Sequence, residues 1–228
     1  MTKTRKPYLI SRCQLQGALA CLSDDDTRYA LTSINIRPEC VEATNRHVLV
    51  QIPHDKLDPA DFPLVPGAPT EAPDTFLLPG DTAKALLKAL PKKSTTLILT
   101  YAQVGVREGS VVGAVTDLDT ATVPTARLPE STFPNSSKAI PQRTAPLFAL
   151  GAPALERLLK VAKATDKVLP RLMFYAPKDK DSAIRIEIPH EESDKPIVAV
   201  IMPCKADWPE ESESVGHEDA VPEPEETL

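Results

Sequence analysis

Basic side chains recur at helical spacing in one part of this chain: Lys84 and Lys88 stand four apart, with Lys92 and Lys93 following. A comparable set, Arg157, Lys160 and Lys163, occupies a later segment, and an earlier one contributes Arg12. Long cations of this kind suit contact with phosphate oxygens of a nucleic-acid backbone, without reading of base sequence. Lysine is also the ordinary solvated choice on the outer face of a helix, so charge alone leaves both readings open.

Catalytic chemistry finds little to stand on. There is no G-x-G-x-x-G, G-x-x-x-x-G-K-[ST], G-x-S-x-G or H-E-x-x-H, and eight glycines offer few phosphate loops. The cysteines, Cys13, Cys21, Cys40 and Cys204, form no C-x-x-C pair. His47, His54, His190 and His217 have no H-x-x-x-H partner, so neither a metal site nor a disulfide framework is expected. Asp117 and Asp119 in VTDLDTA read as a hairpin turn, since Asp favours turns and no third acid completes a cation site. The expectation is a protein with no catalytic residues and no cofactor.

Composition places the chain among folded proteins, with 228 residues and 42% hydrophobic content. Its net charge of -6 is unevenly spread. Residues 206–228 hold nine acids and no Lys or Arg, so what precedes them is mildly basic. That Pro- and Glu-rich segment reads as a disordered acidic tail, a solvated solubility segment in preference to a partner-binding or DNA-mimicking one. No run is apolar enough to span a bilayer, and MTKTRKPYLI lacks the long apolar core of a secretion signal. A cytoplasmic protein with no membrane partner is expected.

The elements that would position these groups come from an internal repeat. Counted from Ser11, Pro79 and Gly151, apolar residues fall at +4, +7, +8 and +11 in all three cases. They are Leu15, Ala18, Leu19 and Leu22; Ala83, Leu86, Leu87 and Leu90; and Leu155, Leu158, Leu159 and Ala162. This is the stripe of an amphipathic helix with one face on a core. A short apolar run (YLI, FLL, LFAL) precedes each helix, and β-rich runs follow: RYALTSINIR, CVEAT and RHVLVQI; TTLILTY, VGVRE and SVVGAV; LPRLMFYAP, SAIRIEIP and PIVAVIMP. The fold expected is α+β, three strand-helix-strands units with antiparallel sheets and helices on one face. Prolines at 53, 59, 63, 66, 69 and 73 make 52–74 a connection rather than a sheet interior. The domains read as 1–142 with two units, 143–205 with one, and the tail 206–228.

On these residues the chain resembles the bacterial DNA sliding clamp, the β subunit of DNA polymerase III. DTRYALTSINI (26–36) and EATNRHVLVQI (42–52) look like that family's middle domain, with its D-x-R-Y-x-L strand and A-T-D-G-H-R-L turn. LPESTFPNSSKAIP (128–141) is similar to its F-P-D-Y-x-x-V-L-P linker, and PIVAVIMPCK (196–205) to its closing V-V-M-P-M-R. Family clamps carry six such units in three domains, and the matches here fall on the middle domain and the closing half of the last. Asn45-Arg46 stands where the family has Asp-Gly, and Cys204-Lys205 where it has Met-Arg.

The resemblance implies two binding surfaces. The helix cations Arg12, Lys84, Lys88, Lys92, Lys93, Arg157, Lys160 and Lys163 would face duplex DNA. The family's pocket for short peptides of DNA polymerases and other replication or repair proteins maps onto Arg28 and Leu31 on a strand, and Thr44, His47 and Leu49 around a turn. It also maps onto Pro134 in the linker and Val200, Met202 and Pro203 in the closing strand. Read without the family, Leu31, Leu49 and Val200 would be core and His47 a turn residue. The function implied is that of a polymerase processivity factor, a homo-oligomer such as four chains supplying twelve units. The alternative is a non-encircling module that competes with or modulates a clamp, and an enzyme on this scaffold ranks last. Because 206–228 has no periodic apolar pattern, its deletion is expected to leave the thermal midpoint of the protein nearly unchanged, as calorimetry would show.

Overall fold

The computed structural model describes residues 4–25, 27–63, 65–94, 96–141, 148–165, 169–179, 182–189 and 196–204. The expected acidic tail lies outside the described residues. Two compact units divide the chain, Met1–Pro141 and Gln142–Leu228.

In the first unit a short strand, β1 (Thr4–Arg5), precedes β2 (Tyr8–Ser11) and α1 (Arg12–Leu19). Strand passes directly into helix because Ser11 is still extended and closes a capping box. Its Oγ accepts from the Gln14 amide at 3.3 Å, and its own amide donates to Gln14 Oε1 at 2.7 Å. Then come β3 (Ser33–Ile36), β4 (Cys40–Thr44) and β5 (Leu49–Pro53). The proline-rich connection holds a 3-10 turn at Pro59–Asp61 and the short β6 (Ala72–Pro73), which pairs with β1. The second repeat runs through β7 (Phe76–Pro79), α2 (Gly80–Ala89), β8 (Tyr101–Arg107) and β9 (Ser110–Thr116). Two short strands, β10 (Ala121–Thr122) and β11 (Thr125–Arg127), fold back onto β9.

The two repeats exchange their leading strands. Every pairing is antiparallel, with one sheet ordered β5-β4-β3-β7 and the other β10-β9-β8-β2, so β7 completes the first repeat's sheet and β2 the second's. Helix α1 packs on β4, β5 and α2, while α2 packs on β7 and β9. The shared core takes Leu15 and Ala18 from α1, Ala83 and Leu86 from α2 with Leu90 just after it, and Ile10, Ile34, Val41, Leu78 and Val104 from the sheets. Crossing is close where α2 meets β9: a Cβ on Gly113 would sit 2.6 Å from Leu86 Cδ1.

The second unit contains α3 (Ala152–Thr165) and a sheet ordered β12 (Met173–Phe174), β13 (Ile184–Ile188), β14 (Ile197–Ile201). Its core is small, with Ile184, Ile186 and Ile201 buried and Phe148, Leu150, Leu158, Leu172 and Ala199 packed on them. Among the described residues no helix is long and apolar enough to cross a membrane.

Several strand expectations are corrected. Arg28 and Leu31 lie in a turn before β3, held by the Leu31 amide donating to Arg28 O at 2.8 Å, because strand pairing starts only at Ser33. Residues 97–100 form a 3-10 turn closed by Thr100 Oγ1 on Leu97 O, so β8 begins at Tyr101. Phe148–Leu150 form no strand, and β12 keeps only two residues of its run. Asp117 does sit in the β9–β10 turn, accepting from the Asp119 and Thr120 amides at 3.1 and 2.6 Å.

One buried charge shapes the first unit. Along β4, Val41 and Ala43 enter the core. By the alternation of a strand, Cys40, Glu42 and Thr44 then point to the opposite face, where they too are buried. The Glu42 side chain is 1% exposed. Its carboxylate accepts from Ser136 Oγ at 2.6 Å, Asn35 Nδ2 at 2.8 Å and Arg37 at 3.1 Å, and from Gln51 Nε2. Burial pushes this carboxyl up, but the bonds from Ser136, Gln51 and Asn35 and the Arg37 charge outweigh it and hold it below the ordinary value. A depressed carboxyl contributes stability that is fully present above its unfolded value of about 4.3 and lost as pH falls through the lower folded value. Glu42→Ala, which strands four donors, is expected to cost about 3 kcal/mol at neutral pH by urea denaturation, with the difference shrinking in acid below pH ~4.

Candidate functional site

The β4–β5 hairpin turns through Asn45–Val48, and its shape is set by side chains. Thr44 Oγ1 donates to Val48 O at 2.8 Å and accepts from the Arg46 amide at 3.2 Å. Asn45 Oδ1 accepts from the amides of His47 and Val48, both at 3.0 Å. This is the Asx chemistry that lets Asn replace a longer turn. Arg46 takes the left-handed conformation, φ 81°, at the position where a glycine would be unstrained, and its guanidinium lies 3.4 Å from Asp25. His47 and Val48 are left exposed at the tip.

Facing this hairpin runs the strap 128–139. Ser136 clips it down through the bond to Glu42, and a one-turn 3-10 segment over Ser136–Lys138 follows. Between hairpin and strap is a trough of about 310 Å³. Thr44, His47 and Leu49 line one side, and Phe133, Pro134 and Ala139 the other. An apolar floor with an imidazole and a guanidinium at the rim can take one or two apolar side chains of a ligand, with rim groups fixing its orientation. A larger cleft of about 840 Å³ shares Phe133–Ser136 with the trough and continues along β7 and the β8–β9 turn. The cleft holds none of the sequence-derived pocket residues except Pro134.

Four of those residues, Thr44, His47, Leu49 and Pro134, are thus brought together. Two others in the first unit are not in the trough wall: Arg28 is exposed in its turn and Leu31 is buried beneath it. Val200 and Met202, both 64% exposed, and the half-buried Pro203 belong to the second unit. Val200 points outward from β14, since its cross-strand partner is Arg185 on the polar face. Phe133, Ser136 and Ala139 escaped the sequence reading. Phe133 precedes the flagged Pro134, but nothing local in the sequence shows that the strap lies on β4.

The basic residues divide in the same plain way. Lys84, Lys88, Lys92 and Lys93 are exposed on or just after α2, with Lys84 paired to Asp81 at 3.1 Å. Arg157, Lys160 and Lys163 are exposed on α3. Arg12 differs, because its guanidinium reaches across to α2 and donates to Leu87 O and Leu90 O, both at 2.7 Å. It caps the negative end of the neighbouring helix.

No protein-family model and no curated protein sequence matches the chain. Solved structures do. The β sliding clamp of Caulobacter crescentus superposes with a TM-score of 0.60 at 14% identity, over 88% of this chain and 50% of that one. The sliding clamp of Bartonella birtlesii, solved with griselimycin bound, gives 0.59 at 15% identity, over 90% and 53%. The chain therefore has the fold of the bacterial sliding clamps and spans about half the length of those it matches.

Proposed function

We infer that this chain is a non-catalytic, cytoplasmic accessory protein of DNA replication that holds partner proteins by short peptide segments. The observation that carries the reading is the trough. Residues flagged in separate parts of the sequence, Thr44, His47 and Leu49 in the hairpin and Pro134 in the strap, line one apolar depression on a clamp fold. Leu49 and the half-buried Phe133 supply apolar wall, and His47 is free at the rim to meet a polar group of the ligand. A peptide placing one Leu and one aromatic there gains a few kcal/mol at ~25 cal/mol per Å² of apolar surface, less the cost of ordering, so micromolar affinity is the expected scale.

Titration of a short peptide rich in Gln, Leu and Phe, followed by fluorescence anisotropy, tests this. Leu49→Glu is expected to weaken binding at least tenfold, as burying a carboxylate in an apolar wall requires. No binding by the parent at millimolar peptide, or equal binding by both proteins, would remove the trough from the reading. The clamp resemblance also assigns Val200, Met202 and Pro203 to peptide contact. Met202→Glu tests that assignment separately, since a residue this exposed can be changed without loss of fold.

The same protein is proposed to contact duplex DNA through the exposed lysines of α2 and the basic residues of α3. Lys84→Glu with Lys88→Glu and Lys160→Glu should weaken association with DNA of any sequence and flatten its salt dependence. Arg12 is left out of that set, because its charge is already committed to the end of α2.

A further inference from the structure

The two units treat the same helical stripe differently. In the first, Leu15 and Ala18 of α1 and Ala83 and Leu86 of α2 are fully buried, because the helices lie against each other across one core. In the second, Ala162 is buried, but the corresponding Leu155 and Leu158 are only half-buried and Leu159 is 41% exposed, with Val161 nearby equally so. The sheet is incomplete in the matching way. The first strand after each helix, β3 or β8, is covered on its outer edge by the leading strand of the opposite repeat, β7 or β2. β12 occupies that position in the second unit, and among the described residues no strand pairs with its other edge. Phe174, opposite the buried Ile186 and so on the core side of the sheet, is still 41% exposed at that edge. The segment that ought to lead, Phe148–Leu150, is paired with no strand and is tied by Ala149 O accepting from the Cys204 amide at 2.9 Å.

We propose that a second copy of this chain completes the unit, the two α3 helices packing across a two-fold axis while each Phe148–Leu150 segment pairs with β12 of the other copy. The occupant is a second copy because the unpaired edge and the segment that would fill it reside in the same unit, which makes the surface self-complementary, as a two-fold interface requires. The first unit shows the completed form: two repeats, leading strands exchanged and helical stripes facing. Among the described residues five apolar side chains of this unit are buried, Ala162, Ile184, Ile186, Ile188 and Ile201, few for a body of this size, and sharing α3 stripes would supply further apolar cover. Exposed apolar side chains and an open strand edge in one patch are otherwise an aggregation hazard.

Sedimentation of the full 228-residue chain, without peptide or DNA, reads the association directly, so its failure would leave the trough untouched. The parent is expected at twice the 24.7 kDa of one chain or a multiple of that. Leu159→Glu halves the mass, while Leu97→Glu, at an exposed apolar site of the first unit, leaves it unchanged. Leu159→Ala keeps helix propensity, guarding against misfolding of the Glu variant, and should raise the dissociation constant at least about tenfold. Hydrogen exchange adds a second reading: the amide of Met173 or Phe174 facing the open edge is protected in the parent and exchanges freely in Leu159→Glu. A parent that stays at single-chain mass up to millimolar concentration overturns the proposal. So does an oligomer that Leu159→Glu leaves intact, since its interface then lies elsewhere than on α3.

Discussion

A carboxylate that water cannot reach decides much of the first unit. Glu42 projects from the middle of β4 on the face away from the helices, and burial there would be prohibitive for an unpaired charge. Its donors come from four places: Asn35 on β3, Arg37 just beyond it, Gln51 on β5 and Ser136 in the strap. The first three lie close to Glu42 in the sheet, Asn35 and Gln51 as its cross-strand neighbours and Arg37 just past the end of β3. The fourth ties a loop almost a hundred positions away to the sheet, and with it Phe133 and Pro134, which form one wall of the trough. A hydrophobic residue in place of Glu42 could fill the same volume, but it would give the strap no directional bond and the trough no defined width.

The exchange of leading strands is the second organising feature. Because β2 belongs to one repeat in sequence and to the other in the sheet, neither repeat can bury its stripe alone. Arg12 reinforces this by spanning the two helices, its guanidinium satisfying carbonyls that the end of α2 leaves without partners. Such a bond costs a surface charge that could have met phosphate. Of the two helices in the first unit, α2 carries the exposed lysines Lys84 and Lys88, while α1 presents Cys13 and Gln16 to solvent.

The turn at Asn45-Arg46, where the sliding clamps it resembles carry Asp-Gly, is held by local bonds. Arg46 occupies a left-handed position where Gly carries no steric cost, and the surrounding bonds from Thr44 and Asn45 over-determine the turn enough to hold it. The exposed ion pair with Asp25 adds little in energy, and Arg46 remains among the residues lining the trough.

Local pattern determined a good deal by itself. The stripe at +4, +7, +8 and +11 identified Leu15, Ala18, Ala83, Leu86 and Leu90 as core, and Ser11 as the start of α1, because helical period and capping chemistry act over a few residues. SAIRIEIP and PIVAVIMP read as strands for the same reason, and β13 and β14 pair through Ile184–Ile188 and Ile197–Ile201. What the sequence could not supply is whatever depends on a distant partner. Alternation says which face a residue takes but not which strand lies beside it, so the exchange of β2 and β7 was invisible, as was the 3-10 turn that replaces the strand expected over 97–100. Glu42 looks like an outward, solvated acid in CVEAT, and only the tertiary structure buries it, because the hydrogen bond that makes burial tolerable joins groups with no relation in sequence.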